Sequence, residues 1–279
     1  MPEHGGPAPT DSATRIIALI NQKGGVGKTT TTVNLAAALA AAGQRTLIVD
    51  LDPQAHATLS LGIDPASSPR SVYDLLLDWD DEPAAAIIKA RPNLSVVASE
   101  TDLAAAESEL AGLADRHHRL SRALQQLAPS FKYILIDCPP SLGMLTINAL
   151  AAAGEVIIPM QAHFLALQGV SKLLETVKLV RAKLNPGLSV AGVVLCMHDS
   201  TATHTQEVVA DLNAFFEAAR TQDVPWRSAR VLQPPIRRNI KLAECPSFGK
   251  SIFAYAPKSP GALDYAALAN EVMGVSVVG

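Results

Sequence analysis

Aromatic residues are scarce, at 4% of the 279 positions, which argues against an aromatic-cored β-sandwich and for helices packed closely through small residues. There are three cysteines, Cys138, Cys196 and Cys245, with no CxxC pair among them, so neither a disulfide framework nor a structural zinc site is predicted. No excess of one charge is present: 23 Lys plus Arg stand against 26 Asp plus Glu, a net −3, which excludes a histone-like polycation. Long hydrophobic runs are missing as well. The longest uncharged stretches, 138–154 and 156–171, are interrupted by Pro, Gly, Asn, Gln and His, so no membrane span is expected. The first 14 residues lack the basic start and apolar stretch of a signal peptide and read as a disordered Pro/Gly-rich tail, with a cytoplasmic setting expected. What the chain does have is core material: 48% of it is hydrophobic, enough to exclude disorder for most of its length.

Short apolar runs alternate with helix-forming stretches. Strands are expected at 15–21, 47–51, 94–98, 133–137, 156–160 and 190–197, and helices at 29–42, 71–77, 83–90, 102–127, 142–153, 167–184, 203–219 and 263–272. This alternation predicts an α/β fold, doubly wound, with a mostly parallel sheet and helices on both faces, in a single domain over 15–279. Residues 227–260 depart from it, being rich in proline and basic residues, and are expected to supply surface loops.

The chemistry concentrates in Asn21–Thr30, NQKGGVGKTT, between the first expected strand and helix. Glycines let successive backbone N–H groups turn toward phosphate oxygens. The helix N-terminus adds a favourable dipole, Lys28 can reach the β/γ-phosphates and Thr29 can hold Mg²⁺. The template GxxxxGK[ST] fails at its first position, where Gln22 stands, and the dinucleotide pattern GxGxxG fails at Thr30. Carboxylates close two expected strands, Asp50 and Asp52 at the end of 47–51 and Asp137 as the last residue of 133–137. Parallel strands would bring these ends to the crevice that holds the phosphate loop.

KGGVGKTT (23–30), DLDPQ (50–54) and IDCPPSLG (136–143) together resemble the deviant Walker A, A′ and Walker B motifs of ParA/MinD-type ATPases, and most closely the ParA/Soj partition branch. RNIKLAECPS (238–247) and YAPK (255–258) extend the likeness over nearly all of 15–272. The resemblance implies an ATP- and Mg²⁺-dependent switch: a homodimer forms on ATP, binds DNA without sequence preference, and is released by hydrolysis that a ParB-like protein stimulates. It implies a nucleoid-associated location without a membrane anchor, since the residues 271–279 lack the basic amphipathic helix of MinD.

Residue by residue, the likeness makes Lys23 the lysine that reaches the partner subunit's nucleotide, Lys28 the phosphate lysine and Asp52 the acid that positions the attacking water. The phosphate loop would be Lys23, Gly24, Gly25, Val26, Gly27, Lys28, Thr29 and Thr30. Thr29, Asp52 and Asp137 would serve the metal. Ile236, Arg238 and Asn239 would meet the base, and Arg237, Arg238 and Lys241 the DNA. The branch commonly reads IPRN where this chain has Ile236-Arg237-Arg238-Asn239, and it often carries an arginine in the loop that is here Asp199-Ser200-Thr201-Ala202.

Residues 220–260 hold eight basic residues against two acids, a local +6 that favours a nucleic-acid-facing surface. His117 and His118 point in different directions if helical and suggest a solvated face rather than a metal. Two other readings stay open on the sequence: a ParA-like ATPase that positions a protein cargo, and a metabolic or redox P-loop enzyme.

Overall fold

A computed structural model describes residues 13–77, 82–162, 166–199 and 203–275. All but the last two residues of the expected tail, and all but Asp199 of the 199–202 loop, lie outside the described residues. Eight strands form one sheet: β1 (Arg15–Leu19), β2 (Thr46–Asp50), β3 (Ile87–Arg91), β4 (Leu94–Val97), β5 (Tyr133–Asp137), β6 (Glu155–Met160), β7 (Ser189–Leu195) and β8 (Arg230–Val231). Their order is β3-β4-β2-β5-β1-β6-β7-β8, and all pairs are parallel except β3 with β4.

The helices are α1 (Lys28–Ala41), α2 (His56–Ser60), α3 (Val72–Leu77), α4 (Leu103–Leu110), α5 (Arg119–Leu127) and α6 (Met144–Ala152). They continue with α7 (Ala166–Lys183), α8 (Thr203–Ala219), α9 (Ile240–Glu244), α10 (Ile252–Tyr255) and α11 (Pro260–Met273). Among the described residues, no helix is long and apolar enough to cross a membrane.

Strand side chains alternate between faces, and that alternation builds two cores. Ala18, Ile20, Leu47, Val49, Ile134 and Ile136 join the layer containing α3 to α8. Ile17, Leu19, Ile48 and Leu135 join the layer containing α1 and α11. The central strands β2 and β5 are buried at every residue. That matches their continuous apolar sequences, since a parallel sheet is covered on both sides.

Three expectations are corrected. Residues 83–90 do not form a helix. A 3₁₀ turn, Pro83–Ala86, leads into β3, because Pro92-Asn93 makes a tight reversal, with Asn93 at φ +58, that lays Ile87–Arg91 antiparallel on β4. The helix expected at 102–127 is two, α4 and α5, interrupted beyond Ala111 at Gly112, a residue that weakens helix. In the interruption Asp115 pairs with Arg122 and Arg119. The segment 227–260 supplies more than surface loops: it carries β8, α9 and α10, and it buries Leu232, Ile236, Leu242 and Ile252 in the α1/α11 core.

Backbone contact holds that segment against α2. Gly249 (φ +59) follows the 3₁₀ turn Cys245–Phe248, and a Cβ there would lie 2.5 Å from the Gly62 Cα. Gly249→Ala is therefore expected to lower stability by about 1–3 kcal/mol through overpacking. The urea unfolding midpoint reads this directly, and an unchanged midpoint would mean the segment can yield.

Candidate functional site

The phosphate loop owes its shape to glycine at two positions. Gly25 (φ +71) and Gly27 (φ +97) adopt left-handed conformations that cost a side-chain-bearing residue energy. At Gly24 and Gly25 an added Cβ would meet nothing within 4 Å, so the backbone is open to an incoming group, whereas at Gly27 it would press on Cys196 at 3.2 Å. Asn21 fixes the loop's start: its amide donates to the Pro159 carbonyl on β6 (2.8 Å), and its Oδ1 accepts from the Lys23 N–H (3.0 Å). Lys28, only 7% exposed, opens α1 and reaches back so that Nζ donates to the Lys23 carbonyl (3.4 Å).

Sheet register brings the acids together. Asp50 and Asp137 stand directly opposite one another at the ends of β2 and β5, both fully buried. Asp137 accepts from the Thr29 hydroxyl (2.7 Å) and the Thr32 hydroxyl (3.0 Å). Asp50 accepts from the Thr58 N–H and hydroxyl (both 2.8 Å) and from the Asp52 N–H (3.2 Å). Burial pushes both carboxyls above the usual carboxylate range, and at Asp50 repulsion from Asp137 adds to it. At Asp137 the hydrogen bonds from Thr29 and Thr32 and the charge of Lys28 work against burial.

A cation at this spot would relieve the repulsion. The Thr29 hydroxyl, its proton already committed to Asp137, keeps lone pairs for such an ion. The residues present thus fit Mg²⁺ held through Thr29 and Asp137. Asp50 itself is a scaffold: by gripping Thr58 it shapes the turn that carries Asp52. That turn is also held by the Ser99 hydroxyl on the Asp52 carbonyl (2.7 Å) and by the Gln54 N–H on the Asp52 carboxylate (3.0 Å).

Beside the loop lies a cavity of about 400 Å³. Gly27 and Thr30 line the end nearest the glycine loop, Cys196 and Tyr265 lie on its α1 side, and Ile236, Arg238, Asn239, Ile240 and Leu242 form a wall. Burial pushes the Cys196 thiol up to about 11, so it packs there as an uncharged group. Asn239 caps α9 by accepting from the Lys241 N–H (2.9 Å), and its Nδ2 is buried with no partner. The largely apolar lining suits a flat heteroaromatic ring. A cavity of about 540 Å³ at the opposite end of the strands is lined by Arg15, Arg181, Arg227 and Arg230. Glu155, Asp223 and Glu271 pair with three of these arginines, and no acid or loop of the site above reaches it.

The local charge of +6 overstates the field. Arg220 pairs with Glu217, Arg230 with Glu271, Arg237 with Asp264 and Lys241 with Glu244, and three of those four acids lie outside 220–260. Arg227, Arg238, Lys250 and Lys258 are exposed. The expected loop, base-side and acidic residues therefore converge at one edge of the sheet, whereas Arg237 turns to a buried carboxylate. Sequence reasoning assigned no part to Asn21, Thr32, Thr58, Ser99, Cys196, Asp264 or Tyr265. For Thr32 a signal existed: it stands one helical turn after Lys28 and Thr29.

A family model described as "AAA domain" matches residues 14–190. The chain is 46% identical over 260 residues to the sporulation initiation inhibitor protein Soj of Bacillus subtilis, covering 92% of this chain and 98% of that protein. It is 45% identical to the chromosome partitioning protein ParA of Myxococcus xanthus, covering 93% and 88%. A solved structure of cobyrinic acid a,c-diamide synthase from Mycobacterium smegmatis, with bound ADP and magnesium, is 40% identical and superposes with a TM-score of 0.77. It covers 93% of this chain and 94% of that one.

Thr32 tests how far the acid pair depends on its hydroxyl donors. Thr32→Val keeps the shape but removes the bond to Asp137 and the back-bond to the Lys28 carbonyl (3.1 Å). Stability should fall by about 1–3 kcal/mol, the cost of leaving a buried acceptor short of a donor. Chemical denaturation measures this, and a neutral substitution would mean that Thr29 alone satisfies Asp137.

Proposed function

The chain belongs to the ParA/Soj family of partition ATPases, and on that footing we propose that it is an ATP- and Mg²⁺-dependent switch that pairs with a second copy and holds DNA. The observation that carries this reading is the meeting, at the carboxyl ends of the central strands, of an open glycine loop, a buried threonine–aspartate cluster and a base-sized cavity.

When bound, Mg-ATP would supply the transferable phosphoryl group and a divalent charge to offset that of its phosphates. The chain's own residues do the rest. Amides of Gly24 to Gly27 and the α1 N-terminus receive phosphate oxygens, with Thr30 at the inner end. Lys28 adds a charge-assisted contact, and Thr29 and Asp137 hold the metal. Asp52, presented by the turn that Asp50 braces, orients the attacking water. Ile236, Arg238 and Asn239 hold the base. Lys23 reaches across to the nucleotide of a second subunit, a cation delivered in trans as an arginine finger is.

Arg238 and Lys241 form the DNA-facing surface. Lys241 is exposed, and its pair with Glu244 (2.9 Å) is the kind that competes weakly with phosphate. A ParB-like protein would stimulate turnover and reset the switch. The name of the Mycobacterium smegmatis relative supports a second reading, a metabolic enzyme acting on a small molecule. ATP turnover that responds to DNA favours the switch, and turnover that depends on a small molecule favours the enzyme.

Lys23→Gln should leave ATP affinity nearly unchanged while abolishing the ATP-dependent dimer in sedimentation velocity. A dimer that persists at normal affinity would make Lys23 an ordinary loop residue. Lys241→Glu should weaken binding to every DNA sequence and reduce the salt dependence by about one phosphate contact, roughly 0.9 in slope. Retention on a DNA-coated surface at low salt, with and without ATP, is the measurement. No ATP-dependent retention in the parent would remove the DNA part of the reading.

A further inference from the structure

One face of α11 joins the two halves of the nucleotide site. Gly261, Asp264 and Tyr265 stand at i, i+3 and i+4, hence on the same side of the helix. Gly261 lets the helix close on the base wall: a Cβ there would lie 2.9 Å from Leu242 Cδ1 and 3.2 Å from Asn239 Nδ2. Asp264 takes the next stretch of that wall, accepting from the Arg237 N–H (3.0 Å), Nε (3.1 Å) and Nη2 (2.6 Å). Tyr265, the next residue, shares a hydrogen bond with Thr31 on α1 (3.1 Å), the helix that follows the glycine loop.

We propose that Asp264 is a positioning residue for the nucleotide base, and that Arg237 is its partner there and not a DNA contact. The inference rests on the nucleotide reading above and deepens it. Two observations carry it. The Asp264 side chain is 6% exposed and that of Arg237 53%. Releasing Arg237 to DNA would strand a buried carboxylate, whereas an exposed lysine pair breaks at little cost. In addition, Asp264 holds the main chain of residue 237 as well as its guanidinium.

Ile236 and Arg238 on either side are already stitched to the end of β7 and the residues beyond it. The Ile236 N–H donates to the Leu195 carbonyl (2.7 Å), the His198 N–H to the Ile236 carbonyl (2.9 Å), and the Arg238 N–H to the His198 carbonyl (3.3 Å). The wall is thus pinned from two sides, by β7 and by α11. Removing the α11 pin would let the base end open while the loop glycines and Lys28 stay in place.

The test compares ATP with inorganic triphosphate, which engages the loop but has no base, using titration calorimetry on the full chain with Mg²⁺. Asp264→Asn and Arg237→Ala should each weaken ATP roughly ten- to hundredfold and leave triphosphate affinity unchanged. Arg237→Lys, which keeps the charge but not the planar fork, should fall between parent and Arg237→Ala. It also serves as the folded reference if either of the others melts early. At saturating ATP, the salt slope of DNA binding by Arg237→Ala should equal that of the parent.

Unchanged ATP affinity would overturn the proposal, as would parallel losses for ATP and triphosphate, which mark general loosening. A DNA slope lowered by about one contact at normal ATP affinity would return Arg237 to the DNA surface. A parent that binds neither ligand would overturn the nucleotide reading itself, and this inference with it.

Discussion

Two carboxylates buried side by side form the constraint on which the site is built. Register between β2 and β5 sets Asp50 opposite Asp137, both fully buried, an arrangement stable only if every oxygen is answered by donors or positive charge. The answers come from distant segments: Thr29 and Thr32 from α1, Thr58 from α2, and Lys28 from the loop. Each answer fixes a piece of machinery. Thr58 on Asp50 shapes the turn of Asp52, and Thr29 on Asp137 places a hydroxyl where a cation would bind. The hydrogen bonds that answer the buried charges also lay out the candidate site.

Much of this was legible in the sequence because it is local. Strand, glycine turn and helix follow one another within Arg15–Ala41, and the acids stand at the ends of apolar runs, so a parallel sheet delivers them to one edge. The closing helix was visible too, although its start at Pro260 with the Ser259 cap lies three residues before the apolar pattern begins.

What escaped depends on partners far apart in the chain or on competition between weak preferences. Ile87–Arg91 could be helix by composition and became a strand because Pro92-Asn93 folds it onto β4. The charge count along 220–260 missed Glu217, Asp264 and Glu271, acids that reach in from α8 and α11. Asp264 has no motif around it, and its meaning appears only when Arg237 is placed beside it. Asn21 was read as the end of the first strand, with no role of its own, yet its two hydrogen bonds anchor the glycine loop to β6.

Helix α1 begins KTTTT, a run of β-branched residues with poor intrinsic helix preference. Its first turn holds because Thr29 and Thr32 bond to β5 and Thr31 bonds to α11, so that turn exists only once the sheet and the last helix are assembled. By mass action, any molecule bound at the loop draws the whole folding equilibrium toward the native state, by RT ln(1 + [L]/Kd). In a cell with ample nucleotide, the half-life of the chain against proteolysis would then follow the nucleotide supply as much as the packing of its core.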